Sequence, residues 1–347
     1  MVVNLRGRDF ISTQEWTREE LEAVLKLAME LKDKKRKEIP HRLLEGKTLF
    51  MLFYNASLRT RNSFQTGIFE LGGQGIYLTP GAVYTPALKG EEIAYKTERI
   101  ADVARVLSRY GHAIAIRIYG EPVNWVYGKG DLIVREFAHW ADIPVINMED
   151  DVYHPCQAMA DVMTAIEYKG RLEGKKVVVS WAYSAGVKPV AVPQSAILIF
   201  TKFGADVVLA HPRGLELDQK IVEMAEKNAD EFGGSFEISY DMNEAFEGAD
   251  IVYPKSWGSL EFMPPKVPQV DKQGMIELMN KYKDWICDQE KLDRAKRDVI
   301  YMHCLPADRG MEVTDDVIDG PHSVVFDEAE NRLHVQKAIM AYVMGGV

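Results

Sequence analysis

Short, almost uninterrupted apolar runs recur along the sequence, each followed by a polar turn and a longer amphipathic stretch. They are Leu49-Phe50-Met51-Leu52-Phe53-Tyr54, Ile114-Ala115-Ile116-Arg117, Pro144-Val145-Ile146-Asn147, Val177-Val178-Val179-Ser180-Trp181, Val207-Val208-Leu209-Ala210, Ile251-Val252-Tyr253 and Val299-Ile300-Tyr301-Met302. A run this short with no polar alternation is a strand buried on both faces. Strands that alternate with helices build parallel sheets covered by helices on both sides. The pattern therefore predicts an α/β protein with doubly wound parallel sheets.

Two passages echo each other. Glu45-Gly46-Lys47 precedes the first run, which leads through Asn55-Ala56-Ser57 into a helical segment from Thr60 to Leu71, stopped by Gly72-Gly73. Glu173-Gly174-Lys175 precedes Val177 to Trp181, then Tyr183-Ser184, a turn, and a helical segment from Ser195 to Phe203 closed by Gly204. The echo suggests two domains that open in the same way. A length of 347 residues agrees, at roughly 150 residues per domain. The expected division is 1–152 and 153–327, with a C-terminal helix over 328–347 returning to pack on the first domain. Near the start, Thr17-Arg18-Glu19-Glu20 carries a capping box, and Leu21, Val24, Leu25, Leu27 and Leu31 follow at helical spacing. Lys32 to Lys37 reads as the solvated end of that helix.

Composition narrows the function. With 47% hydrophobic and 27% charged residues, the chain is of ordinary globular type. Its formal net charge of -10 makes it a poor partner for nucleic acid or anionic membranes. No apolar run approaches a membrane span, and the N-terminus lacks a basic region followed by an apolar stretch, so no signal peptide is expected. The three cysteines, Cys156, Cys287 and Cys304, suit a reducing compartment rather than a disulfide framework. A cytoplasmic location is expected. No G-x-G-x-x-G follows a strand and no G-x-x-x-x-G-K-[ST] occurs, which takes most of the support from the dinucleotide and P-loop readings.

Four motifs could carry chemistry. Ser57-Leu58-Arg59-Thr60-Arg61 lies where a strand ends and a helix begins. Free backbone N–H groups, hydroxyls and a guanidinium fork at such a helix start suit an anion such as phosphate. His154-Pro155-Cys156-Gln157, with Asp161 beyond it, offers neutral donors for a carbonyl. His303-Cys304-Leu305-Pro306 directly follows a strand, where α/β proteins place ligands. Arg332 stands in Glu330-Asn331-Arg332-Leu333-His334 and by itself reads as an exposed helix charge. His154, Cys156, His303 and Cys304 lack the spacing of zinc ligands, and a Cys–His nucleophile has no orienting partner visible in sequence.

In this order the four motifs resemble the aspartate and ornithine carbamoyltransferases over nearly the whole chain, and HCLP resembles the ornithine branch. Within it, Trp181-Ala182-Tyr183, Lys188-Pro189, Pro193 and Tyr253-Pro254-Lys255-Ser256-Trp257-Gly258 are most similar to N-acetylornithine carbamoyltransferases and their knotted relatives. The resemblance implies a trefoil knot in the second domain, a homotrimer, a site in the cleft between the domains, and no cofactor or metal. The implied substrates are carbamoyl phosphate and an amino-acid amine. By family position Ser57, Leu58, Arg59 and Thr60 cradle the phosphate with Arg117, while His154, Gln157, Arg332 and the Cys304-Leu305 backbone surround the carbamoyl group. Arg59, Arg117, His154 and Gln157 are the implied catalytic set.

For the acceptor, ornithine enzymes carry an Asp where this chain has Lys255, and a Ser-Met-Gly loop where it has Gly258-Ser259-Leu260. A lysine repels an α-ammonium, so N-acetyl-L-ornithine is the expected acceptor. Ornithine, N-succinylornithine or another amine are the alternatives. Glu149 and Leu305 match acceptor contacts, and Glu98, with Tyr84 more loosely, matches residues that reach a neighbouring subunit's site. The acetylornithine family also has an Arg near Asp308 and a carboxylated Lys where this chain has Glu312, and Asp308 resembles a knotted relative with a different acceptor.

Overall fold

The structure, a computed structural model, describes residues 3–347. It divides into two compact units: Met1–Asn124, Gly128–Met159 and Glu330–Val347 form the first, Trp125–Tyr127 and Ala160–Ala329 the second.

The first unit opens with α1 (Arg18–Arg36), whose start is the predicted capping box: Thr17 accepts from the Glu20 N–H while the Glu20 side chain accepts from the Thr17 N–H. Such a cap contributes about 1 kcal/mol. The end of α1 is solvated from Asp33 onward, as expected, with one exception. Lys32 is buried, and its ammonium donates to Asn331 Oδ1 at 2.8 Å.

Four strands, β1 (Thr48–Phe53), β2 (Gln74–Leu78), β5 (Ala113–Arg117) and β6 (Val145–Glu149), form a parallel sheet in the order β2-β1-β5-β6. Between β2 and β5 lie β3 (Thr85–Ala87) and β4 (Thr97–Arg99), paired only with each other. β1, β5 and β6 are buried along their whole length, as their apolar runs require. Ile114, Ile116, Leu52 and Val145 pack with Ile133, Val134 and Phe137 of the covering helix in one core. Helix α2 (Leu58–Glu70) follows β1, α3 (Ile100–Tyr110) precedes β5 and α4 (Lys129–Trp140) precedes β6.

The C-terminal helix, Val325–Val343, ends in this unit. A Cβ on Gly67 of α2 would lie 3.1 Å from both Lys337 Cγ and Met340 Cε, so the missing side chain is what lets this helix approach. Lys337 then donates to Glu70 at 2.8 Å.

The second unit contains most of α5 (Pro155–Lys169) and the strands β7 (Lys176–Trp181), β8 (Asp206–Ala210), β9 (Ser235–Ser239), β10 (Ile251–Lys255) and β11 (Ile300–Tyr301). They form a parallel sheet ordered β11-β10-β7-β8-β9. Helix α6 (Ala191–Lys202) is buried at every position, which its apolar sequence anticipates. The indole N–H of Trp181 donates to the Trp257 carbonyl, and that of Trp257 to the Leu215 carbonyl, so both buried indoles are satisfied.

In each sheet the strand order reverses once, between β1 and β5 and between β7 and β10. Crevices beyond the carboxyl ends of strands at such a reversal are where open α/β sheets bind ligands. Among the described residues no helix is long and apolar enough to cross a membrane.

Candidate active site

Beyond the carboxyl ends of β1 and β5 the first unit gathers side chains from four separate stretches. Ser57 caps α2, its hydroxyl accepting from the Thr60 N–H at 3.2 Å. The remaining first-turn N–H groups give this end a partial positive charge. Leu58 is 74% exposed, so only its backbone can serve a ligand here. Arg61 leaves the cluster, its guanidinium stacking 3.8 Å from the Tyr77 ring centroid.

Arg332 ties three of the stretches together. It is buried, donating to Gln157 Oε1 at 2.6 Å and to Thr60 Oγ1 at 3.0 Å. Read alone it was an exposed charge; the fold makes it a brace between α2 and the start of α5.

A second brace stands beside it. The pairing of β5 with β6 slips after Ile116↔Asn147, so that Arg117 faces Glu149 and Met148 is skipped. Irregularities of this kind re-aim side chains at sites. Arg117 donates to Glu149 and, at 2.8 Å, to the Tyr119 hydroxyl. His154 Nε2 lies 3.4 Å from the same Glu149 carboxylate. Glu149, matched above to an acceptor contact, is thus placed among the residues matched to carbamoyl phosphate.

Burial, and then the positive charges of Arg332, Arg117 and Arg59, hold the His154 imidazole well below its usual range. It is neutral at pH 7 and able to donate one hydrogen bond. Burial pushes the Cys156 and Cys304 thiols up to about 12, so neither forms a thiolate near neutrality. A cysteine nucleophile is not supported.

The neutral His154 has a consequence for stability. A lowered histidine pKa means the unfolded chain binds a proton that the folded chain does not, so stability falls as pH drops through about 6.5. The stability of the wild type relative to His154→Gln should therefore decrease by roughly 1 kcal/mol between pH 7.5 and 5.5, read from urea unfolding at the two pH values. A pH-independent difference would mean that His154 takes up its proton as readily in the folded chain as in the unfolded one.

The second unit gathers another cluster beyond β7 and β10. Lys255 ends β10 and is buried, which excludes a surface lysine. Its ammonium donates to the Ser256 carbonyl at 3.0 Å and lies 3.3 Å from Glu312 Oε1. Glu312 is fully buried and is the centre of the cluster. It accepts from the Ser256 N–H (2.7 Å), the Asp308 N–H (2.8 Å) and the Lys188 ammonium (2.7 Å), and His303 Nε2 lies 3.4 Å away. Burial alone would raise the Glu312 carboxyl, but Lys255, His303 and Lys188 together hold it well below the usual carboxylate range.

His303 Nδ1 accepts from the Leu305 N–H at 2.9 Å, which leaves the proton on Nε2, facing Glu312. Leu305 holds φ +54, a left-handed conformation that a leucine adopts only under constraint. The sequence reading had Lys255 and Leu305 as acceptor contacts and the Cys304-Leu305 backbone beside the carbamoyl group. It did not see Lys188 or Ser184 as site residues, because their partners are more than a hundred residues away along the chain.

Glu98 lies on exposed β4 rather than on a helix, close enough to Tyr54 for its charge to add to the upward shift that burial gives the Tyr54 phenol. Tyr84 is half-exposed just before β3.

These features define a two-unit α/β protein with charged clusters beyond the strand ends, and comparison with known proteins assigns the family. Residues 8–167 match the aspartate/ornithine carbamoyltransferase carbamoyl-P binding domain, and residues 175–343 match the Asp/Orn binding domain of the same family. The chain belongs to that family and is a carbamoyltransferase of the ornithine/acetylornithine type. It is 44% identical, over 100% of its length and 99% of the relative's, to a protein from Thermococcus kodakarensis named ornithine carbamoyltransferase. It is 39% identical, over 97% and 98% of the two chains, to one from Xanthomonas campestris named N-acetylornithine carbamoyltransferase. Among solved structures, ornithine carbamoyltransferase from Pyrococcus furiosus matches with a TM-score of 0.84 at 43% identity, covering 100% of both chains. An acetylornithine transcarbamylase complexed with acetylcitrulline matches with a TM-score of 0.89 at 38% identity, covering 97% and 99%.

Proposed function

We propose that the chain transfers the carbamoyl group of carbamoyl phosphate to the side-chain amine of L-ornithine, giving L-citrulline and phosphate. The observation that carries the donor half is the Arg332 brace, which holds Thr60 and Gln157 beside the N-terminus of α2. Phosphate is held by that helix end with Ser57, Arg59 and Thr60, assisted by Arg117. Neutral His154 and Gln157, with Arg332, orient the carbamoyl oxygen and stabilise the negative charge it gains. The uncharged amine attacks the carbamoyl carbon, the C–O bond to phosphate breaks with its electron pair leaving on phosphate, and phosphate takes the proton the nitrogen loses. No covalent enzyme intermediate is required.

The acceptor reading departs from the expectation of N-acetylornithine. That expectation rested on Lys255 repelling an α-ammonium, but Glu312 compensates the Lys255 charge. Lys255, Lys188, Glu312 and Asp308 are two cations and two anions, a balanced set that tolerates a zwitterionic amino acid. The name of the Thermococcus relative supports the same side. N-acetyl-L-ornithine is the second reading, favoured by Lys255 standing where ornithine enzymes have an acid.

By resemblance the enzyme works in the cytoplasm as a homotrimer in which Glu98 and Tyr84 serve a neighbouring site, and its second domain carries a trefoil knot formed by a proline-containing loop.

Incubation with carbamoyl phosphate and, in turn, L-ornithine, N-acetyl-L-ornithine and N-succinyl-L-ornithine tests the proposal. The highest kcat/KM is expected with L-ornithine. Faster turnover of the acetylated substrate would establish the second reading. Tight binding of carbamoyl phosphate with no product from any amine would point to a binding protein that kept the fold.

A further inference from the structure

The charged cluster of the second unit has an interior and an outer face, and they do different work. Glu312 is the interior member. Both its oxygens are taken by two lysines and two backbone N–H groups, and it is fully buried, so it positions its neighbours and is closed to a ligand. Lys188 and Asp308 form the outer face, with side chains 19% and 38% exposed.

Each outer residue is held by the fold and still has bonding capacity. The Lys188 ammonium gives one proton to Glu312 Oε2 at 2.7 Å and one to Asp308 Oδ2 at 2.8 Å. An ammonium has three. Asp308 Oδ2 also accepts from the Ser184 hydroxyl at 2.5 Å, which fixes the carboxylate plane. Its Oδ1 makes none of these contacts. A cation with a proton to give thus stands beside an anion with an oxygen to accept, both pre-oriented by buried partners.

We propose that Lys188 and Asp308 recognise the α-amino-acid head of the acceptor: Lys188 donates to the α-carboxylate, and Asp308 Oδ1 accepts from a free α-ammonium. Asp308 then performs from the loop after β11 the task that an acid at the end of β10 performs in ornithine enzymes, a position held here by Lys255. Acylation of the α-nitrogen removes both the charge and two of the N–H donors, leaving Asp308 without its ligand partner. A site built for a charged donor rejects analogues that lack it far more strongly than an apolar pocket rejects a missing methylene. The inference rests on the ornithine reading above and assigns the residues that produce it.

The test is the ratio of kcat/KM for L-ornithine to that for N-acetyl-L-ornithine, measured in the wild type, Asp308→Asn and Asp308→Glu. Asp308→Asn removes the negative charge while keeping size and the ability to accept from Ser184. Its ratio should fall at least tenfold, mainly through a higher KM for L-ornithine, and Asp308→Glu should restore part of the preference. If the wild type uses L-ornithine but the ratio is unchanged in Asp308→Asn, or both activities disappear together, the role of Asp308 is overturned and the ornithine reading stands. If the wild type prefers N-acetyl-L-ornithine, the reading and the inference fall together.

Discussion

Replacing Glu312 by alanine should destabilise the protein by about 3–5 kcal/mol, the cost of leaving buried charges without their counter-ion. The substitution removes a counter-ion of Lys255, which is 7% exposed, and it weakens the hold on Lys188. It also leaves the N–H groups of Ser256 and Asp308 without their acceptor, and that of Ser256 is buried. For a unit of this size the thermal midpoint should drop by roughly 10 °C. Glu312→Gln, which can still accept from both N–H groups, should lose less. A loss below about 1 kcal/mol for the alanine variant, measured by urea unfolding, would mean that water reaches the lysines and that Glu312 is not their anchor.

Arg59→Ala should lower kcat/KM by two to three orders of magnitude, the effect of removing one pre-oriented donor from a developing charge, about 2.7–4 kcal/mol. Arg59 sits in the first turn of α2, only partly buried, and its charge is felt at His154. The fold does not depend on it in the way it depends on Arg332, so thermal stability should change little while turnover collapses. Arg59→Lys keeps the charge but loses the planar fork and should be intermediate. Steady-state kinetics at saturating acceptor decide the matter, and an alanine variant within a factor of ten of the wild type would remove Arg59 from the phosphate site.

The two variants probe parts of the molecule that differ in how visible they are in the sequence. Ser57 and Arg59 could be placed from sequence because their geometry is local: a strand ends, a hydroxyl caps, a helix starts. The same holds for β1, β5, β7 and β8, whose burial on both faces leaves apolar runs in the chain. It fails for β2 and β9, edge strands with exposed and half-exposed positions throughout, whose sequences carry no such run. It fails also for Lys32 and Arg332, which look like surface charges until a partner hundreds of residues away along the chain covers them. Glu312 was noticed only as a departure from a family pattern. Its role depends on Lys188 and Ser256, 124 and 56 positions away, and no spacing rule reaches that far. The acceptor expectation weighed Lys255 as an isolated charge, whereas the fold supplies it with a counter-ion.

The first unit is discontinuous, and synthesis by the ribosome runs in one direction. Its sheet is complete once residue 149 has emerged, yet Arg332 and Lys337, which clasp Thr60 and Glu70, belong to a segment translated much later. At about 5–20 residues per second, the nascent half-built domain waits on the order of ten seconds or more for its final helix. The residues from Ala160 to Ala329 are contiguous and can close on themselves first. Maturation of the first unit is therefore coupled to synthesis of this late helix, and a message truncated even a few codons before Arg332 yields a polypeptide whose earlier-made domain has never been locked shut.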